Sequence, residues 1–524
     1  MKNEYKKRTS LFAITFILLS IFAVGDLHAQ DFGFGFDEDG GKETPVSGPA
    51  VSVKVGGEIA AEFIGFVRDF SSWEKIKEDN VNLGNMVSGM LNFSASGANV
   101  DAFIGLNLSV ASISEIVSGL ESPGATPLML DEAYLRAFFG PVNIEAGYRK
   151  LTWGKADSFG PLDVINPLDY TDLTNISDIQ AIKIARPLVH VSWNTGSFSK
   201  IEGVFIPNFT GNRFAREGRW MAAQFATMTG VVEAEILGRL APMMALIPPQ
   251  NVPIVQDMYS RMTDNFSTFS LDFPNTSGLE YFQAGLRFSV TAGPADIGVQ
   301  YFYGNLFQPD FTIAGIDDFV SDLVDKNMPL FSGSTPPDPD DIYTGDINKI
   351  SPRIKYNRYH QIGLDYAQVL FSLNVRAEFA IHLTEDMKGN DGSVRNPFLG
   401  WSLGFDRDLF WGINLNVQCN ETIRLMNDKV GNNPVYDCEA GTNLTSTRIT
   451  MQLSKKFLKD QLETKAIAIW NIENSDGYII PAIVWAIKDV TAELSAGIFT
   501  GKESGDLGQY WKNSFIRLGM KYSF

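Results

Sequence analysis

The chain has 524 residues, a formal net charge of −18, and a composition that is 44% hydrophobic, 12% aromatic and only 20% charged. Such acidity argues against a nucleic-acid binder, because no basic face could collect enough phosphate contacts. Many Phe and Gly residues beside few charges exclude a disordered chain, and four histidines leave little material for histidine-based metal or acid–base chemistry.

Residues 1–29 have the pattern of a secretory signal peptide. An apolar run over 11–24 follows a basic start, and the small residue Ala29 precedes the expected cleavage site. The run is shorter than the roughly 18–20 apolar residues that a membrane-spanning helix needs, which disfavours the alternative of an N-terminal anchor. We therefore expect export, followed by a periplasmic tail over residues 30–50.

From residue 51 onward, apolar and polar residues alternate with period two, which is typical of strands with one apolar face. Such strands occur in soluble sandwiches and in membrane barrels alike. The predicted strands, in chain order, are 51–64, 86–97, 98–110, 129–139, 141–150, 184–194, 197–206, 278–290, 294–304, 353–366, 369–380, 397–407, 410–423, 446–457, 461–473, 478–487, 489–500 and 514–524.

The connections between these strands favour the membrane barrel. Tight connections alternate with long ones along the chain, and this alternation is typical of transmembrane barrels, with short periplasmic turns and long extracellular loops. An even strand number then places both termini in the periplasm. The expected extracellular loops are 111–128, 151–183, 207–277, 305–352, 381–396 and 424–445.

The end of the chain supports the same interpretation. Strand 514–524 alternates apolar and polar residues, and it finishes with Tyr522 and Phe524. A soluble domain has no reason to end an amphipathic strand on an exposed aromatic residue. This end resembles the last strand of bacterial outer-membrane barrels, which the barrel-assembly machinery binds through a terminal Phe. The resemblance implies that Tyr522 and Phe524 are an assembly signal, with outer-membrane lipid around the barrel.

The sequence thus predicts an all-β fold, a transmembrane antiparallel β-barrel over residues 51–524 with about eighteen strands, or sixteen as the alternative. A barrel this wide cannot fill its interior with its own side chains, so it must contain water, a plug or folded-in loops. The middle of loop 207–277 is predicted to be a helical hairpin over or inside the mouth. Its apolar side chains, including Met244, Leu246 and Met258, are expected to need burial.

The predicted inward faces carry acidic and basic residues in nearly equal number, among them Arg136, Arg287 and Arg376. A lumen of mixed sign favours polar, hydrated solutes over apolar ones. In the alternative interpretation, these residues pair with one another and only stiffen the wall. Loop 305–352 is rich in Asp and is expected to be a solvated acidic loop rather than a calcium site.

One segment resembles a known family. Residues 147–157 read Gly-Tyr-Arg-Lys-Leu-Thr-Trp-Gly-Lys-Ala-Asp, and 161–169 read Pro-Leu-Asp-Val-Ile-Asn-Pro-Leu-Asp. This is similar to a stretch in outer-membrane porins of the DUF1302-type and alginate-export-like families. The Trp-Gly, Gly-Pro and Asn-Pro turns would allow the segment to form a constriction loop, or alternatively a rim loop that touches no solute. The candidate constriction residues here are Arg149, Lys155, Asp157, Asp163 and Asp169.

Cys419 and Cys438 are expected to pair as a disulfide in an oxidising compartment, with two free buried thiols as the alternative. His190, Ser192 and Asn194 have a spacing similar to that of outer-membrane phospholipases. They are nevertheless predicted to point into the lumen rather than to the lipid-facing wall. We therefore expect no catalytic residues, no cofactor and no metal site.

The function that the sequence favours is passive or substrate-biased passage of small hydrophilic solutes across the outer membrane, with no chemical step. The alternative is a surface-exposed interaction protein, an adhesin or ligand-capturing barrel that acts through its long extracellular loops. A transporter of hydrophobic substrates would need an apolar lumen pocket, and the predicted inward faces do not offer one.

Overall fold

Eighteen antiparallel strands form one sheet in the computed structural model, which describes residues 51–67, 82–109, 130–266, 273–331 and 338–524. Each strand pairs with the next in the chain, and the last pairs with the first, so the sheet closes into a barrel. The predicted signal peptide 1–29, tail 30–50 and loop 111–128 lie outside the described residues. The strands are β1 (Ser52–Phe66), β2 (Asn82–Ser96), β3 (Val100–Ser109), β4 (Leu130–Phe139), β5 (Val142–Arg149), β6 (Arg186–Asn194), β7 (Ser199–Ile206), β8 (Gln283–Ala292), β9 (Ala295–Asn305), β10 (Arg358–Leu370), β11 (Leu373–Thr384), β12 (Phe398–Asp408), β13 (Ile413–Arg424), β14 (Thr445–Phe457), β15 (Leu462–Asn471), β16 (Asp476–Ile487), β17 (Val490–Gly501) and β18 (Phe515–Ser523).

Every predicted strand corresponds to one of these, so the prediction of a transmembrane barrel with eighteen strands is confirmed and the sixteen-strand alternative is wrong. The hairpin of β10 and β11 is displaced by about four residues from its predicted position. Its turn consists of Phe371 and Ser372, with φ angles of 51° and 62°. Two-residue turns with positive φ normally use Asn or Gly, so the sequence carries no signal for this turn.

The barrel has a turn end and a loop end. Connections at the turn end are short, such as 140–141, 293–294 and 488–489, whereas those at the loop end include 207–282 and 306–357. Since the strand number is even, β1 begins and β18 finishes at the same end, the turn end.

The outward face of the barrel is apolar. Alternate residues of each strand point outward, and among them Leu286 and Ile362 are 57% and 51% exposed, like Leu403, Ile483 and Leu518. A continuous apolar belt of this kind is the lipid-facing surface of a transmembrane barrel. In the part of the chain that the structure describes, no helix is long and apolar enough to cross a membrane.

A helical cap covers the loop end. Its buried side chains come from three connections, those between β7 and β8, β9 and β10, and β13 and β14. The predicted helical hairpin in 207–277 is present, and Met258 is buried in the cap. Met244 and Leu246, at the tip of the hairpin, are 43% and 72% exposed, so the expectation of burial is wrong for these two. The described helices of four or more residues are α1 (Ile179–Ile182, not in the cap), α2 (Ala223–Met244), α3 (Val252–Phe266), α4 (Ile316–Lys326) and α5 (Met328–Phe331).

Candidate functional site

The connection between β5 and β6, residues 150–185, folds into the barrel, and we call it the inner loop. Its backbone lies against inward-facing side chains of strands far along the chain. Gln361 on β10 donates a hydrogen bond to the carbonyl of Pro161 at 2.7 Å, and Gln300 on β9 donates to that of Leu162 at 3.0 Å. The inner loop therefore lines the lumen and does not rest on the rim.

Glu378 on β11 is the strongest attachment of the inner loop. Its side chain is buried at 4% exposure, and one carboxylate oxygen accepts hydrogen bonds from the backbone N–H groups of Lys155 and Ala156. The other oxygen accepts from the N–H of Leu162 at 3.3 Å. Charge-assisted bonds of this kind are stronger than neutral ones, so one side chain fixes both ends of the segment 155–162.

Two glycines allow this close approach. A Cβ atom at Gly154 or Gly160 would lie 2.3 Å or 2.5 Å from an oxygen of Glu378. Gly154 also has a φ of 98°, a conformation that residues with a side chain rarely adopt. The turn at Trp153 and Gly154 is thus the part of the inner loop that packs against the Glu378 carboxylate.

The tip of the inner loop carries a pair of predicted site residues. The Asp157 carboxylate lies 2.5 Å from Nη2 of Arg376 on β11 and accepts a hydrogen bond from Asn416 on β13 at 2.8 Å. Arg376 also contacts Asp406 on β12 at 2.5 Å. Gln418 accepts from the backbone N–H of Asp157 at 2.8 Å and holds the tip against β13.

A belt of ion pairs follows the inner wall from β4 to β10. Glu145 bridges Arg136 at 2.6 Å and Arg149 at 3.1 Å, and it also contacts His190 at 3.3 Å. The other ring nitrogen of His190 lies 3.3 Å from Glu202. Since opposite charges alternate along the belt, most of these residues are paired with one another.

The belt continues beyond Glu202. Arg287 lies 3.9 Å from Glu202 and 2.6 Å from Asp365 on β10, which is 1% exposed. Asp365 is directly opposite Glu378 in the register of β10 and β11. The belt therefore meets the attachment point of the inner loop.

The remaining candidates lie along the inner loop. Asp163 pairs with Lys183 at 2.6 Å, Asp169 lies 3.7 Å from Arg213, and Lys155 lies 3.9 Å from Asp296. Burial raises the pKa of Asp163, while the ammonium of Lys183 opposes that shift. Lys183 is completely buried, so the first of these pairs holds the base of the inner loop together.

Two apolar clusters seat the inner loop in the lumen. In the first, Trp153 and Ile165 pack on inward-facing residues of β6, β7, β9 and β10. In the second, Leu173 and Ile176 pack on inward-facing residues of β16, β17 and β18, including Phe515. The inward faces of β15–β18 thus carry apolar residues, and the inner loop covers them.

The structure thus brings some predicted residues together and separates others. Asp157 and Arg376 form a direct pair, and Arg136 and Arg149 meet through Glu145. The sequence interpretation counts Glu378 among the inward-facing acidic residues but does not predict it as a site residue, and it does not name the glutamines that bind the loop backbone. Their inward direction follows from the period-two pattern, but which of them meets residues 155–162 depends on strand register, which the pattern does not specify.

The two cysteines are free thiols, which contradicts the expected disulfide. Cys419 stands opposite Leu403 and Ile449, whose side chains are 50% and 36% exposed on the outer surface. Cys438 lies in the loop between β13 and β14, where its N–H donates to the carbonyl of Gly392. Cys419 thus lies on the outward face of a strand and Cys438 in a loop, and burial beside Asp310 raises the pKa of the Cys438 thiol.

The chain end completes the barrel seam. Phe524 and Gly57 exchange two backbone hydrogen bonds of 3.0 Å, and the ring of Phe524 stacks with that of Tyr522 at 6.1 Å. Within the described ranges, no group of three or more His, Cys, Asp or Glu residues is arranged to bind a metal ion.

No family model matches the chain, and no curated protein sequence matches it. Solved structures with a similar fold include OpdK of Pseudomonas aeruginosa with vanillate, at 8% identity and a TM-score of 0.41, covering 90% of this chain and 98% of that one. They also include OccK3 (OpdO) of Pseudomonas aeruginosa, at 8% identity and a TM-score of 0.42, covering 90% and 95%. The DcaP channel of Acinetobacter baumannii is similar at 9% identity and a TM-score of 0.38, covering 90% and 97%.

Likenesses this distant carry no argument about substrate. The class of the protein follows from its own geometry, which is a closed transmembrane β-barrel with eighteen strands and an inner loop attached to its wall.

Proposed function

We propose that this protein is an outer-membrane channel through which small hydrophilic solutes diffuse, with no chemical step. The observation that carries the proposal is the attachment of the inner loop along the wall by Glu378 and Gln418. A barrel of this width is not filled by its own side chains, and the inner loop narrows its lumen. Charged groups beside that loop suit hydrated solutes.

Within this channel, we place the constriction beside Asp157 and Arg376. Arg149, Arg136 and Arg287 belong to the adjacent wall belt, and Lys155 extends the same charged surface. The pairing of Asp163 with Lys183 and the proximity of Asp169 to Arg213 support a role in holding the inner loop rather than in contacting solute.

The orientation is part of the same proposal. The turn end faces the periplasm, the cap faces outward, and lipid surrounds the apolar belt. The assembly machinery would engage β18 through Tyr522 and Phe524. Membership of the alginate-export-like porins is supported only by the segment 147–169, so it remains a proposal about ancestry and not about substrate.

Single-channel recording in planar bilayers tests the function. We expect ohmic, salt-dependent conductance from the folded protein. Arg376→Gln leaves the carboxylates of Asp157 and Asp406 uncompensated and should shift the reversal potential toward cation selectivity, whereas Asp157→Asn should shift it the other way. Arg407→Gln is the matched control. Arg407 follows Asp406 in β12, so its side chain is on the outward face of the strand, whereas Asp406 faces the lumen.

Absence of conductance from correctly folded protein that still binds a surface ligand would favour the interaction-protein alternative. Conductance with the same reversal potential in both lumen variants would keep the channel and remove the proposed constriction.

A further inference from the structure

We infer that helix α2 is a beam across the mouth at the loop end and that it sets the size limit for entering solutes. This rests on the proposed channel function, but it concerns a barrier separate from the inner loop. The beam belongs to the cap, whereas the inner loop lies inside the barrel.

The first end of the beam is tied to the loop between β17 and β18. The backbone N–H of Ala223 donates to Gln509 at 2.8 Å, and Asn513 donates to the carbonyl of Arg219 at 2.6 Å. Trp220, just before α2, is 8% exposed and packs against Phe499 of β17. This end therefore sits above β17 and β18.

The second half of the beam is tied to two other loops. Arg239 donates to the hydroxyl of Tyr436 at 2.5 Å and contacts Asp317 on α4, which belongs to the loop between β9 and β10. Glu235 accepts a hydrogen bond from Asn433 at 2.9 Å, in the loop between β13 and β14. We call these contacts of Glu235 and Arg239 the latch.

The dimensions agree with a beam that extends over most of the mouth. In a closed ring of eighteen strands, β9 and β18 are half a turn apart. The tied part of the helix, from Ala223 to Arg239, is about 24 Å long. Eighteen strands at the usual spacing and tilt enclose a ring roughly 35 Å across. The loop between β13 and β14 lies about a quarter turn from β18, and the loop between β9 and β10 about half a turn. A helix tied to the loop before β18 and to these two loops therefore extends over about two thirds of the width of the mouth.

The beam is fixed by more than the latch. Val232, Ile236 and Leu240 lie one turn apart on α2, are at most 4% exposed, and belong to the buried core of the cap. Arg395, in the loop between β11 and β12, contacts Asp310, in the loop between β9 and β10, at 2.7 Å, which fastens the cap to a neighbouring loop. A solute must therefore enter beside α2, through openings smaller than the barrel itself.

Excision of the beam tests the inference. Residues 223–266 are replaced by a short Gly-Ser linker in the full-length protein, and conductance is recorded together with liposome swelling in sugars of increasing size. We expect higher conductance and a larger size limit, with the reversal-potential response to Arg376→Gln unchanged. A folded excised barrel with the conductance and size limit of the parent would overturn the inference, whereas a parent that conducts nothing would instead overturn the channel function.

A milder variant tests the role of α2 if the excised protein does not assemble. Glu235→Ala combined with Arg239→Ala removes the latch and should increase current fluctuations in the open channel. The matched control is Asp257→Ala with Arg261→Ala, which removes an ion pair within α3. Quiet traces from the latch variant, equal to those of the parent and the control, would overturn the inference.

Discussion

Arg287 reaches Asp365 across strand β9 because position 298 between them has no side chain. A Cβ atom at Gly298 would lie 2.3 Å from the Asp365 carboxylate and 2.5 Å from the Arg287 guanidinium. Both ends of this ion pair are at most 5% exposed. A buried carboxylate left without its partner is destabilising, so Gly298 contributes to the stability of the belt of ion pairs on the inner wall.

We therefore expect Gly298→Ala to lower the free energy of unfolding by about 3 kcal/mol, the usual cost of separating a buried ion pair. The measurement is the unfolding midpoint of the barrel in detergent. Gly203→Ala is the control, since the nearest atom to its added Cβ is 4.0 Å away. Equal losses in the two variants would contradict the role assigned to Gly298.

The attachment of the inner loop by Glu378 makes a second prediction at this scale. Glu378→Ala leaves three backbone N–H groups without their acceptor, at about 1–3 kcal/mol each, and should release the segment 155–162. We expect noisier single-channel currents and faster proteolysis within the inner loop. Glu378→Gln keeps one oxygen acceptor, so its current noise and its rate of proteolysis should lie between those of the parent and those of Glu378→Ala. Currents as quiet as those of the parent in both variants would show that other contacts suffice.

The cysteines make the third prediction. Mass spectrometry of the unfolded, unreduced protein should find two alkylated thiols. In the folded protein, Cys438 should react slowly, because burial raises its pKa and only the thiolate is nucleophilic. Detection of a peptide that joins Cys419 to Cys438 would contradict the structure. The position of Cys419 could have been predicted, since the alternation along β13 groups it with Leu415 and Val417 on the lipid side.

At the scale of elements, the seam between β1 and β18 is the place where the barrel closes. Gly57 has no side chain, so the Phe524 ring lies against its backbone, 3.0 Å from where a Cβ would be. An aromatic ring over a glycine of a neighbouring strand shields backbone hydrogen bonds that would otherwise be exposed. Phe524 thus continues the backbone pairing with β1 one residue beyond the end of β18.

Deletion of Phe524, or Phe524→Asp, should reduce the amount of folded barrel in the outer-membrane fraction, measured by heat-modifiable mobility on gels. Phe524→Leu keeps an apolar side chain and should be milder. Normal insertion of the charged variant would contradict the importance of the terminal aromatic residue.

The strands were predictable because lipid outside and polar groups inside impose a period of two on each of them. The turn at Phe371 and Ser372 was not, because it uses residues that seldom adopt positive φ. On β15 and β16 the alternation of apolar and polar residues is lost, since the apolar residues Ile467 and Ile480 face inward, beside residues that contact the inner loop. The strands of the barrel could therefore be predicted from the sequence, whereas the packing of the inner loop against β15 and β16 could not.

At the scale of the whole molecule, charge is distributed unevenly. The belt residues are paired across the inner wall, whereas the cap carries many of the aspartates, including Asp317 and Asp322 on α4. We expect weak cation selectivity in dilute salt that fades as ionic strength rises, since screening shortens to about 10 Å at 0.1 M. Reversal potentials across salt gradients measure this. Strong anion selectivity would show that Arg376 and its neighbours control the channel instead.

The position of the inner loop has a consequence for how the protein folds. Residues 153–162 contact β8 to β13, and Thr174 contacts Tyr478 and Arg517, which follow it by 304 and 343 positions in the chain. Contacts so distant in sequence form late, because long stretches of chain must be ordered first. The inner loop can be fully seated only after β18 has joined the sheet, so completion of the barrel and narrowing of its lumen belong to the same final stage of folding.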